Sequence, residues 1–248
     1  MRILVTRPRE DAAGLVADLE ARGHAVVLEP LLTIVPRDGV DSRDSVDWPQ
    51  GHEDAQALLV TSANGLRAFA RLDTRRALPV YAVGDASAAA ARDLGFRHVV
   101  SAAGNVEALA ALVQGKLDPA GGPLLHPAAG QRAGDLQGAL GAAGFTVLRA
   151  VLYDAVPLAA LTPACAEAFA DGSIDAATFF SPRTATGFVS LIRAAGLTAA
   201  GRQVTAGCLS DAVAAALSGI AWRRVVVAQR PDQAALLAVI DAQAGDDT

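Results

Sequence analysis

Short apolar runs alternate with longer amphipathic stretches along the whole chain. Arg2 to Thr6 is apolar at successive positions rather than alternate ones, which predicts a strand buried on both faces. Arg7-Pro8 follows, and proline is tolerated at the first helical position. Glu10 and Asp11 suit the positive end of a helix dipole. Leu15, Val16 and Leu19 share one helical face, and Gly23 ends the helix. His24 to Leu28 is the next strand, completing a β-α-β unit. The same grammar predicts strands at 58–60, 80–83, 124–125, 176–180, 204–209 and 224–228, and helices at 65–71, 86–94, 135–143, 184–194, 212–217 and 233–242. His126 to Gly130 reads as a loop. Buried strands alternating with helices predict parallel sheets covered on both sides.

The pattern also repeats. Gly23 to Pro36 reads GHAVVLEPLLTIVP, and Gly144 to Pro157 reads GFTVLRAVLYDAVP; the two align without a gap. Ser62 then falls near Ser181, and Asp85-Ala86 near Asp211-Ala212, in the same order. An ungapped match of this length favours duplication over the echoes that any α/β chain shows. Pro30–Pro36 and Val151–Pro157 are long and extended, and Arg37–Glu53 is polar. Both extended stretches read as crossings between two domains, a number that suits 248 residues.

Composition narrows the function. With 52% hydrophobic residues there is ample material for a core, while 4% aromatic residues and a net charge of −5 argue against a nucleic-acid partner. No apolar run approaches the roughly 18–20 residues of a membrane span. The start, MRILVTRPRED, lacks the apolar core of a signal peptide, so a cytoplasmic protein is expected. Cys165 and Cys208 are isolated and the four histidines are scattered. A reducing compartment and no zinc or iron site are the corresponding expectations.

Candidate chemistry sits in the turns, because ligands of open parallel sheets bind beyond the carboxyl ends of the strands. A helix N-terminus there offers unpaired N–H groups and a partial positive charge, an anion site that needs no lysine or arginine. Thr61, Ser62, Asn64, Ser87 and Ser181 add donors. Gly65, Gly84 and Gly130 would let a ligand approach the backbone. Taken singly, each turn reads equally as an ordinary N-cap. Arg7, Arg132 and Arg183 are placed to grip carboxylates, His126 to titrate near neutral pH, and Tyr153 to donate a proton near a cleft. No P-loop, GxGxxG fingerprint, DxD pair or Ser-His-Asp set is present. An enzyme and a non-catalytic binding protein for a small anion both remain open on these residues.

The ordered set ILVTRP, GHAVVLEPLLTIVP, LLVTSANGLRAF, AVGDASAAAARDLGF, GALGAAGFTVLRAVLYDAVP and FFSPRTATGF resembles the uroporphyrinogen-III synthase family over nearly the whole chain. The resemblance implies an α/β fold of two flavodoxin-like parallel-sheet domains with a cleft between them. One domain would comprise 1–35 plus 158–248 and the other 43–150, joined by two crossing strands at 36–42 and 151–157. It implies a lyase that cyclises hydroxymethylbilane to uroporphyrinogen III, with loss of water and inversion of the last pyrrole ring, using no metal or cofactor. Neutral donors would hold the substrate carboxylates, so an acidic protein can bind a polyanion. Tyr153 aligns with the family tyrosine assigned to assist hydroxyl loss. Substrate contacts are expected from Thr6, Arg7, Thr61, Ser62, Asn64, Gly84, Ser87, Gly130, Ser181 and Arg183. A monomer is expected, with no membrane partner. Two turns depart from the family pattern: Ser210-Asp211 stands where Gly and Thr are common, and LLHPAAG lacks the charged residue often beside its glycine.

Overall fold

A computed structural model describes residues 1–37, 42–131 and 134–245. Residues 38–41 of the expected crossing at 36–42, and Arg132, lie outside the described residues. In chain order the elements are β1 (Arg2–Val5), α1 (Arg9–Ala21), β2 (Ala25–Leu28), β3 (Leu32–Pro36), β4 (Ala57–Val60), α2 (Ala63–Leu72), β5 (Val80–Ala82), α3 (Asp85–Asp93), β6 (Val99–Ser101) and α4 (Val106–Gln114). There follow β7 (Leu124–Ala129), α5 (Leu136–Gly141), β8 (Val147–Pro157), α6 (Pro163–Ala170), β9 (Ala176–Phe179), α7 (Pro182–Ala194), β10 (Thr205–Cys208), α8 (Asp211–Ala216), β11 (Arg224–Val227) and α9 (Gln233–Gly245). The chain divides into two compact units, Met1–Thr33 with Val156–Thr248, and Ile34–Ala155.

The first unit is built on a sheet of order β11-β10-β9-β1-β2, parallel throughout. Period-two side-chain direction sorts β1 between two cores. Leu4 packs with Phe169, Phe179 and Phe188 on one face, while Ile3 and Val5 pack with Leu15, Leu19, Leu236 and Ile240 on the other. Burial on both faces is why this strand shows no alternation in sequence. Gly23 closes α1 with φ +79°, and the N–H of His24 reaches back to Leu19 O, the left-handed helix stop that glycine adopts without steric penalty.

The second unit holds a sheet of order β3-β8-β7-β4-β5-β6. Its β7, β4, β5 and β6 pairs and the β7–β8 pair are parallel. Leu158 N–H donates to Leu31 O, and Arg37 N–H to Leu152 O, so β3 and β8 run antiparallel. Leu58 and Val60 face one core, Ala57 and Leu59 the other.

Three elements lie outside the sequence expectation: β6, α4 and α6. The short β6 is only partly buried. The two helices carry ordinary start signals, Asn105 accepting from Ala108 N–H and Thr162 accepting from Cys165 N–H. The expected loop at His126–Gly130 is also corrected, because β7 continues to Ala129. Pro127 obscured it, since proline is rare inside a sheet. Leu124 N–H donates to Thr146 O on the β8 side, so amides at 124, 126 and 128 turn to β8. The Pro127 nitrogen turns to β4, where pairing has already ended at Leu58↔Leu125. No ladder bond is lost.

Candidate active site

In the second unit the order β8-β7-β4-β5 lines up the ends of β7, β4 and β5 beside the interior of β8. Thr61 and Ser62 follow β4, Gly84 follows β5, and Gly130 follows β7. Tyr153 lies within β8, level with Ala129, where the register slips between Ala128 and Ala129. The structure therefore brings together Thr61, Ser62, Asn64, Gly84, Ser87, Gly130 and Tyr153. Thr6, Arg7, Ser181 and Arg183 stand at the corresponding edge of the first unit, after the neighbouring strands β1 and β9.

Each turn has its own chemistry. Ser62 caps α2 by accepting from Asn64 N–H at 3.2 Å, which leaves its own O–H free to donate elsewhere. Asn64 is buried, and its Oδ1 accepts from Arg67 at 2.8 Å. Gly84 begins α3 without any side-chain cap, and a Cβ placed there would meet nothing within 4 Å. Ser87, in the first turn of α3, is buried at 8% exposure. Among the described residues its hydroxyl has no hydrogen-bond partner. Of these helix starts, that of α3 combines open space, uncapped amides and an uncommitted hydroxyl, the arrangement suited to an anion.

Gly65 serves packing. A Cβ on Gly65 would collide with Pro127 O and sit 3.6 Å from Tyr153 Cε1. This glycine lets α2 lie directly against β7 and the tyrosine ring. A Cβ on Gly130 would meet only the Asp154 carboxylate, the end of an exposed side chain that can turn away. The Gly130 N–H donates to Tyr153 O at 2.9 Å. Tyr153 itself is buried within the α2-side core.

Thr6 is corrected as a substrate contact. It is fully buried, and its hydroxyl donates to Thr178 O at 2.7 Å, tying β1 to β9. Arg7 is half-buried, with its guanidinium 4.3 Å from the Phe180 ring centroid and Nη1 on Gln233 Oε1 at 3.3 Å. Ser181 caps α7, accepting from Thr184 N–H at 3.2 Å and bonding the Thr184 hydroxyl at 2.7 Å. Arg183 is exposed in the first turn of α7. At the departing turn Ser210 begins α8 without a side-chain cap bond, and Asp211 is an exposed first-turn residue.

Sequence reasoning missed one pairing because strand register is invisible to it. His126 Nε2 lies 3.1 Å from Thr61 Oγ1. Burial, then the nearby Arg149 charge, pushes the imidazole pKa down to about 4, so the expected titration near neutrality is corrected. Burial also pushes the Cys165 thiol up to about 12, with Glu29 adding to it, and burial alone pushes Cys208 up to about 12. Neither thiol is a nucleophile at neutral pH. Among the described residues no three His, Cys, Asp or Glu side chains gather as a metal-binding group, and no helix is long and apolar enough to cross a membrane.

Fold and site together define a two-unit α/β protein whose strand ends present backbone amides, hydroxyls and an amide rather than a cationic groove, the class suited to a small anionic ligand. The family model for uroporphyrinogen-III synthase HemD matches residues 13–238. The chain belongs to the uroporphyrinogen-III synthase family and is an enzyme of tetrapyrrole and heme biosynthesis, acting on a small-molecule tetrapyrrole. Among solved structures, a mutant uroporphyrinogen III synthase from the extremely thermophilic bacterium Thermus thermophilus is 20% identical with a TM-score of 0.56, over 99% of each chain. Uroporphyrinogen-III synthetase from Helicobacter pylori 26695 is 15% identical with a TM-score of 0.63, over 98% of this chain and 100% of that one. At such identities these two share the fold. No curated protein matches the sequence significantly.

Proposed function

We propose that this chain is a hydro-lyase that closes hydroxymethylbilane to uroporphyrinogen III, with loss of water and inversion of the last pyrrole ring. The observation that supports it best is the second unit's sheet edge in a chain of this family: Tyr153 in β8 stands in the same row as the uncapped α3 start and the Ser62 cap. Substrate acetate and propionate arms bind to helix-start amides and to the hydroxyls of Thr61, Ser62, Ser87 and Ser181, with Asn64, Gly84 and Gly130 shaping the turns. Arg7 and Arg183 supply the cationic contacts of the first unit. Tyr153 assists departure of the terminal hydroxyl as water, leaving an azafulvene cation. Attack by the already substituted ring carbon gives a spiro intermediate, whose rearrangement inverts the last ring.

Without orientation the same bilane closes head to tail to the type I isomer. The enzyme's contribution is therefore largely geometric, holding one reactive arrangement among several. Buried free cysteines fit a cytoplasmic enzyme, and the reading is of a monomer.

The test is a coupled cyclisation assay with hydroxymethylbilane generated in situ, followed by oxidation and separation of isomers. Predominant type III product is expected. Type I product alone, at the spontaneous rate, would overturn the proposal. Tyr153→Phe should lower kcat by about 10²-fold, the usual scale for a proton donor, with little change in KM.

A further inference from the structure

We infer that His126 is a positioning residue for Thr61, locking the threonine hydroxyl in one orientation at the substrate edge. The inference rests on the synthase reading above and adds a residue to its machinery. Thr61 follows β4 directly and His126 lies in β7, two adjacent parallel strands in register at Leu58↔Leu125. That register sets His126 beside Leu59, two residues before Thr61 on the same face, so the two side chains meet on the diagonal, with Nε2 3.1 Å from Oγ1. On the far side His126 is the cross-strand partner of Arg149 in β8. The Arg149 guanidinium is itself fixed, because Nη2 donates to Ala129 O and, at 3.0 Å, to Gly130 O. The imidazole is thus bracketed by a hydroxyl and a cation anchored on the carbonyls of the Gly130 turn.

Burial, and then a cation in that place, disfavour imidazolium, in keeping with the depressed pKa of His126. A neutral imidazole offers Nε2 as one donor or one acceptor, and a threonine hydroxyl has one donor and two acceptor sites. With the proton on Nε2 the imidazole donates to Oγ1, which takes up one acceptor site, selects one χ1 well of Thr61 and leaves the hydroxyl its donor. The remaining capacity of the hydroxyl then points in a fixed direction, one residue before the Ser62 cap. Ordering a donor before substrate arrives strengthens binding by removing the entropy otherwise lost on binding. The effect therefore belongs in KM more than in kcat.

The experiment compares Thr61→Val, His126→Phe, their double variant and His126→Gln in the type III assay, with folding checked by circular dichroism. Thr61→Val and His126→Phe should each raise KM by about 5–10-fold with kcat within about twofold. The double variant should be no worse than the poorer single variant, the non-additivity of residues acting through one bond. His126→Gln keeps a hydrogen-bonding group in place and should bring KM back to within about twofold of wild type. In parallel, the imidazole ¹⁵N shifts of His126 should change in Thr61→Val. Additive effects, a normal KM in His126→Phe or Thr61→Val, or a Gln variant as impaired as Phe would overturn the inference. A wild type that makes only type I isomer would instead overturn the synthase reading and with it any substrate role. The ¹⁵N shifts would then still tell whether the Thr61–His126 bond exists.

Discussion

The two units use the same strand-to-helix turn in opposite ways. In the first, the polar groups that follow β1 and β9 bond to the protein itself. Thr6 donates to Thr178 O, Thr178 donates to Leu4 O, Ser181 is bound to Thr184, and Arg7 lies on Phe180. In the second, Gly84 contributes no cap, Ser87 has no hydrogen bond among the described residues, and Ser62 keeps a donor beyond its cap. A hydroxyl committed to a carbonyl stabilises the frame; one held without a partner is available to a ligand. Sequence motifs of one kind therefore divide into scaffold and binding groups according to what the neighbouring strand presents.

The contrast can be broken most severely from the scaffold side. Phe188 packs with Phe179 at 5.2 Å between ring centroids, and with Phe169 and Trp222 at 5.7 and 6.1 Å. Phe188→Ala should destabilise the chain by about 3–5 kcal/mol, read as a lowered midpoint in urea unfolding. Next in size is the acid response of the second unit. His126 has a folded pKa of about 4 against an ordinary value of 6.5, so the unfolded state binds the extra proton between those values. Stability from this group is complete above pH 6.5 and is lost as pH falls toward 4. The loss is up to about 3 kcal/mol, from roughly 1.36 kcal/mol for each pH unit between the two values. Urea midpoints measured from pH 7 to 4 should fall more for wild type than for His126→Gln; equal slopes would refute the assignment. The smallest effects sharpen the contrast most directly. Thr6→Val should cost about 1 kcal/mol and leave KM unchanged. Ser87→Ala should stay within about 0.5 kcal/mol of wild type and raise KM several-fold. The reverse outcome would exchange the roles of the two hydroxyls.

Much of the architecture is legible in residue order because burial on both faces and glycine helix stops leave local traces. The runs ILV, ALLV and AATF announce interior strands, and Gly23 and Gly144 announce helix ends. What stays hidden is non-local. Pro127 reads as a loop until it is known which way its nitrogen turns. Thr6 and Ser87 are alike in sequence, each a hydroxyl after a strand, and differ only in whether a carbonyl such as Thr178 O lies within reach. Gly65 resembles Gly84 until the Pro127 carbonyl is seen to fill the space beside it. His126 and Thr61 are 65 positions apart, and only register joins them. The family likeness supplied substrate and chemistry, neither of which spacing alone contains.

The place of β1 inside its sheet bears on how the protein is made. On the ribosome Ile3 emerges before the second unit, and its partner Ala176 follows only after the whole of that unit. That unit can complete its own sheet while β1, α1 and β2 wait as a half-built layer with one strand edge and much apolar surface uncovered. Long-range pairing of this kind is slow and prone to association. The interval between synthesis of β2 and of β11 is therefore when the nascent chain most needs shelter from its neighbours.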